Sequence, residues 1–120
     1  MSQKKKKYQD YFDFWAERLS NTRYLSLRNA RGIELCRTQF PKPPFTVEDP
    51  GVKLVAGPIP PAKIMVSGKA TQAVLLDEDD TILHKEHIGS SLTLSSEYLQ
   101  RGATQHFGYL AVSVPASAES

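Results

Sequence analysis

Cysteine is nearly absent, with Cys36 the only one in 120 residues. No intrachain disulfide can form, which separates the chain from the disulfide-stapled small domains of oxidising compartments. Long apolar runs are missing as well, none approaching the roughly 20 residues that a membrane-spanning helix needs. Residues 1–7 have the positive start of a signal peptide, but the polar and aromatic residues 8–13 follow where an apolar stretch would be required. The expectation is a soluble protein of cytoplasmic synthesis with no membrane partner.

Catalytic signatures are also lacking. There is no Gly-x-Ser-x-Gly elbow and no Gly-x-Gly-x-x-Gly, and Gly68-Lys69 has neither the upstream glycine nor the following helix of a phosphate loop. Cys36 lies in a predicted strand, where a lone cysteine reads as a small core residue and not as a thiolate nucleophile. At 13.4 kDa the chain is one domain. A two-domain enzyme is excluded, as is a (β/α) barrel of about 250 residues.

A strong charge of one sign is the next thing missing, since the net formal charge is only +2. It is unevenly spread. Residues 1–37 hold nine basic groups against four acidic ones, a local charge of +5, while residues 38–120 hold six against nine, a local charge of −3. Lys4, Lys5, Lys6 and Lys7 form a basic arm at the start of the positive part. Such an arm suits an acidic partner: nucleic acid, an anionic surface or an acidic protein face.

Aromatic residues are concentrated directly behind the arm. Tyr8, Tyr11, Phe12, Trp15 and Leu19 recur at the spacing of one helical face, with Asp10, Asp13 and Glu17 elsewhere on the turn. A helix over 8–19 is predicted, stopped by Ser20-Asn21-Thr22. From Tyr24 the period changes to two. Residues 24–28 and 33–37, around a turn at Asn29 to Gly32, read as a β-hairpin. A proline-rich connection over 40–51 follows. Short strands are predicted at 52–56, 63–67, 70–76, 81–85, 91–95 and 107–114, with a helical turn at 96–101 stopped by Gly102 and a frayed tail at 115–120. Strands this short and this regularly spaced, with one clear helix, predict a mostly β fold: an antiparallel β-sandwich or small barrel, jelly-roll-like, carrying one N-terminal amphipathic aromatic helix.

The densest chemistry is the run from Ala73 to Leu83, an apolar strand followed by Asp77-Glu-Asp-Asp80 and then Thr81-Ile-Leu83. These residues resemble the signature of haloacid-dehalogenase-type phosphohydrolases, Asp-x-Asp-Gly-Thr-Leu at the end of a strand. The resemblance implies Asp77 as nucleophile and Asp79 as acid/base, both helping to hold Mg²⁺ in a Rossmann-like domain. Asp80 replaces the glycine of that signature, and only 39 residues follow Thr81. The plainer reading is a β-hairpin with an acidic, solvated tip. An EF-hand is excluded because Ile82 and Ile88 occupy the positions of its glycine and final glutamate. His84 and His87 form H-x-x-H, but residues three apart on a strand face opposite ways, and His106 is remote in sequence. No catalytic residue, cofactor or metal is assigned.

The leading expectation is a non-enzymatic structural or assembly subunit of a larger, virus- or phage-like complex. Its arm (Lys4, Lys5, Lys6, Lys7), its aromatic face (Tyr8, Tyr11, Phe12, Trp15) and the proline-rich stretch would contact neighbouring copies or other protein subunits. The alternative is a nucleic-acid-binding module using the arm with Arg18, Arg23, Arg28 and Arg31. A second alternative is a small metal-dependent hydrolase at Asp77, Asp79 and His84.

Overall fold

The structure, a computed structural model, describes residues 14–49, 53–89, 92, 94, 96–108 and 110–113. Lys4 to Lys7, Tyr8, Tyr11, Phe12 and the tail 115–120 lie outside the described residues. Of the helix predicted over 8–19, residues 14–20 (α1) are described and are helical. Trp15 and Leu19 stand one turn apart on its inner side; Leu19 is fully buried, and Trp15 packs on the same core. The helix stops where two side chains fold back on one carbonyl, Ser20 Oγ and Asn21 Nδ2 donating to Glu17 O at 2.6 and 3.3 Å.

Two hairpins build the largest sheet. The first is β1 (Tyr24–Arg28) with β2 (Glu34–Gln39). Its turn is held by the Asn29 side chain, whose Oδ1 accepts from Arg31 N and Ile33 N at 2.9 and 3.0 Å. Gly32 sits there at φ +83°, a left-handed conformation that glycine adopts without steric cost. The next four elements are β3 (Phe45–Asp49), β4 (Lys53–Ala56), β5 (Ala62–Lys63) and β6 (Gly68–Lys69). The second hairpin is β7 (Gln72–Leu76) with β8 (Ile82–His87). After it come β9 (Tyr98–Leu99), β10 (Thr104–Gln105) and β11 (Ala111–Ser113).

The two hairpins join through β1 and β7 into a four-stranded sheet of order β2-β1-β7-β8, and β11-β4-β3 forms a three-stranded one. All pairings are antiparallel. One core joins these layers: Leu25, Leu27, Ala73, Leu75 and Leu83 from the larger sheet meet Leu54 and Val112 from the smaller one. The fold is mostly β, with antiparallel sheets in a sandwich-like arrangement and one short helix.

The strand expected over 63–67 enters a strand only at Lys63, while β6 at Gly68–Lys69 and β10 at Thr104–Gln105 lie where no strand is predicted. Two further segments depart from the sequence-based expectation. The proline-rich connection contains a strand, because its prolines at 41, 43 and 44 precede β3 while the stretch Phe45–Asp49 has none. β3 lies at the edge of its sheet, where neighbouring prolines interrupt no central ladder. Residues 96–101, expected as a helical turn, instead supply β9. Tyr98 faces out and Leu99 faces in, the period of a strand, and their partners are Lys69 and Gly68, far away in sequence.

β5 and β6 pair with β10 and β9 as parts of one ribbon. Ala62–Gln105, Lys63–Thr104, Gly68–Leu99 and Lys69–Tyr98 are partners, and the residue numbers of each pair add to the same value, although the ladder is interrupted between them at 64–67 and by the turn at Arg101 and Gly102. Between the two halves, Ile64 N donates to Ala103 O and Gly102 N to Ile64 O, both at 2.9 Å. Arg101 N donates to Ser67 Oγ at 2.8 Å. The ribbon lies close to the larger sheet at Gly68, where a Cβ would stand 3.2 Å from Leu35 Cδ2.

Leu27 is fully buried and Ile82 is 42% exposed. Leu27→Ala is therefore expected to cost about 2–5 kcal/mol of unfolding free energy, and Ile82→Ala at most about 0.5 kcal/mol. Urea unfolding followed by fluorescence compares them; equal costs would contradict the assignment of the core face.

Candidate functional site

Strand alternation places the residues of the larger sheet on two faces. Leu25 and Leu27 point into the core, so Ser26 points away from it, opposite Val74 on one side and Arg37 on the other. Ser26 and Val74 are both fully buried on that outer face. They form a floor covered by longer side chains. Ser26 Oγ donates to Glu34 Oε1 at 2.6 Å and accepts from Arg28 Nε at 3.1 Å. Arg37 Nε donates to the same Glu34 oxygen at 3.0 Å. The other end of the Arg37 guanidinium holds Asp80, with distances of 2.9 and 3.3 Å to its two carboxylate oxygens, and the Arg37 Cζ lies 4.9 Å from the centre of the Tyr24 ring.

The electrostatics follow from these contacts. The hydrogen bond from Arg37 holds the Asp80 carboxyl below its ordinary value, and the same bond holds the Arg37 guanidinium above its own. The network is chemically closed. Its serine is covered, and its carboxylates are occupied by arginines.

The acidic run forms the turn between β7 and β8. Asp77 Oδ1 accepts from Asp79 N at 2.8 Å and from Thr81 N at 2.9 Å. Asp80, at φ +64°, supplies the left-handed residue of the turn, a conformation that aspartate tolerates better than most side chains. The Rossmann-like setting implied by the haloacid-dehalogenase resemblance is not the one observed, because β7 pairs antiparallel with both of its neighbours. Asp77 shapes the hairpin while Asp79 and Glu78 face solvent. A cleft of about 220 Å³ lies beside the turn, lined by Ser20, Thr22, Arg23, Lys42, Asp77 and Glu78, among others. Arg23 stands 3.7 Å from Glu78 across it.

Trp15 and His84 meet where α1 packs on β8. Their rings are edge-to-face with centres 5.9 Å apart, and His84 Nε2 is 2.7 Å from Glu86 Oε2. His84 lies opposite Leu75 and His87 opposite Gln72, so the two histidines occupy different faces and do not share a ligand position. Among the described residues no three His, Cys, Asp or Glu side chains converge as a metal site. Cys36 is buried within β2, and burial first, then the Glu34 charge, push its thiol up to about 11.

The arginines of the positive N-terminal part are mostly engaged inside the chain. Arg18 donates to Leu83 O and Ile82 O at 3.0 and 3.2 Å, Arg23 bridges Glu78, and Arg28 holds Ser26. Arg31 is exposed on the β1–β2 turn. Sequence reasoning passed over some of the cations that lack such partners: among the described residues, Lys63, Lys69 and Arg101, like Arg31, Lys42 and Lys85, are in no ion pair with a carboxylate and are exposed; the first three are on the segments 62–69 and 98–105. They are isolated in sequence, and only the pairing of segments 62–69 and 98–105 brings them together.

No family model matches the chain, and neither a curated protein nor a solved structure matches it.

Two measurements follow from the buried thiol and the Arg37–Asp80 pair. Cys36 is expected to react with an aromatic disulfide reagent only on unfolding; immediate labelling of the folded protein would contradict its burial. Asp80→Asn keeps a side chain that tolerates the left-handed turn and removes the charge. The lowered folded-state pKa means that the pair stabilises above the ordinary carboxylate value of 3.8, and that this contribution is lost as pH falls through the folded-state value. The variant should therefore melt lower than the parent near neutrality, with the gap closing in acid. A gap that stays constant down to pH ~2 would assign the effect to something other than the Asp80 charge.

Proposed function

We propose that the chain is a non-enzymatic structural subunit that assembles with copies of itself or with other protein subunits. The observation that carries this reading is a set of large apolar side chains left in solvent beside β2. Met65 is 61% exposed, Ile33 47% and Val66 41%. Met65 N and Val66 N both donate to Leu35 O, at 2.9 and 3.2 Å, which fixes their backbone beside β2, two residues from Ile33. Contiguous exposed apolar surface of this kind marks interaction sites on folded domains.

Other features support the same reading. Ser26, Glu34, Arg28, Arg37 and Asp80 satisfy one another, and Asp77 is bound into its turn, so neither group offers an assembled set of acid, base and nucleophile. Pro41, Lys42 and Pro43 are exposed ahead of edge strand β3, where the proline-rich stretch would meet a neighbour. A small β domain with a basic arm (Lys4, Lys5, Lys6, Lys7) fits a virion-type shell or tail, an argument from layout alone. Trp15 packs on its own sheet, so the aromatic face would contribute to assembly through residues nearer the arm.

Analytical ultracentrifugation of the full chain across a wide concentration range tests the proposal. The parent is expected to associate reversibly, and Met65→Ser with Val66→Ser to shift the equilibrium at least ten-fold towards monomer, about 1.4 kcal/mol of contact free energy. A parent that stays monomeric at the highest concentration reached would refute it.

A further inference from the structure

The ribbon formed by segments 62–69 and 98–105 has an inner and an outer face. Ala62, Ile64, Leu99 and Gln105 are buried, and a Cβ on Gly68 would point at Leu35. Lys63, Met65, Lys69, Tyr98 and Thr104 are exposed. Arg101 adds a third exposed cation where the two halves of the ribbon meet, its backbone tied to Ser67. Neither segment contains an Asp or Glu. Tyr98 is 72% exposed, the most exposed of the large apolar side chains among the described residues, and the Lys69 ammonium lies 5.6 Å from the centre of its ring.

We propose that this outer face binds single-stranded nucleic acid, with Lys63, Lys69 and Arg101 following the phosphates and Tyr98 stacking on a base. Charge complementarity selects a polyanion, since three exposed cations without carboxylate partners stand on two paired segments, 62–69 and 98–105, that contain no acid, the nearest in sequence being Glu97 beside Tyr98. The ring selects among polyanions. A flat aromatic surface held on a β-ribbon and flanked by cations is the arrangement that combines backbone tracking with sequence-tolerant stacking. An acidic peptide would use the cations and leave the ring idle. A duplex would satisfy the cations but offers no unstacked base face within its length. The site is separate from the arm and from Arg18, Arg23 and Arg28, three arginines already bonded within the fold. Met65 lies on both surfaces, but the proposal does not rest on the assembly reading, whose test alters Met65 and Val66 and leaves these four residues intact.

The experiment is fluorescence anisotropy with a labelled oligothymidine of about 15 nucleotides, a single-stranded length spanning about one small binding platform. The full chain is used below the concentration at which it self-associates, over a salt series. Binding is expected to weaken with salt, and Lys63→Gln, Lys69→Gln and Arg101→Gln together to flatten the log–log slope by about 2, at roughly 0.7 per single-strand phosphate contact. Tyr98→Leu should weaken binding by roughly ten-fold, a loss that Tyr98→Phe should largely avoid because stacking needs the ring and not the hydroxyl. All four side chains are exposed, so the variants should keep the parent's melting temperature. A chain with Lys4, Lys5, Lys6 and Lys7 changed to Gln should retain the dependence on Tyr98. The proposal is overturned if the triple variant keeps the parental slope, if Tyr98→Leu and Tyr98→Phe bind alike, or if the arm variant loses all binding. It is equally overturned if polyglutamate of matched charge competes as well as unlabelled oligothymidine.

Discussion

β1 and β7 are covered on both faces, and the rest of the molecule is arranged around that constraint. On the inner side Leu25 opposes Leu75 and Leu27 opposes Ala73, and those four side chains belong to the one core that also takes in residues of the ribbon, the three-stranded sheet and α1. On the outer side Ser26 opposes Val74 with no exposure at all. A hydroxyl removed from water must find partners inside the protein, because an unsatisfied one costs roughly 1–3 kcal/mol. Glu34 and Arg28 supply them, and Glu34 in turn requires Arg37. The polar network is thus a consequence of burying the centre of the sheet. It also ties the first hairpin to the second, since Arg37 of β2 reaches across to Asp80 in the turn beyond β7.

That link explains why the most chemical-looking stretch of the sequence has a structural role. Four consecutive acids at a hairpin tip would repel one another if all were free. Asp77 is turned inward on two backbone amides, Asp80 is held by Arg37 and Glu78 approaches Arg23, so three of the four are compensated by the fold. Strand β8 is registered by the same turn, with a bulge that sends Leu83 into the core and His84 towards Trp15.

Local periodicity revealed what local interactions decide. Alternation around Asn29 to Gly32 located the first hairpin, the acidic run located the second, and the aromatic spacing around Trp15 and Leu19 located the helix. Elements made by distant partners were not legible in the same way. Tyr98-Leu99 carries no strand signal of its own and becomes extended because Gly68 and Lys69 are there to pair with it. The prolines around β3 argued against a helix or a central strand, and the strand that forms there lies at an edge. Charge misled for the same reason. The +5 of the first 37 residues looked like one basic surface, yet Arg18, Arg23, Arg28 and Arg37 all have partners within the chain. Among the described residues, exposed cations without a carboxylate partner also occur in the part of the sequence that is acidic in sum, and Lys63, Lys69 and Arg101 are on two segments that only tertiary pairing makes neighbours.

Arg18 has a consequence of a different kind. It extends from α1 to the outer strand of the larger sheet, where its guanidinium occupies the carbonyls of Ile82 and Leu83. A border strand with open carbonyls is a template on which another chain can add itself. The helix, seated through buried Leu19 and the Trp15–His84 contact, therefore covers carbonyls at one end of β8 that would otherwise be open to an added strand.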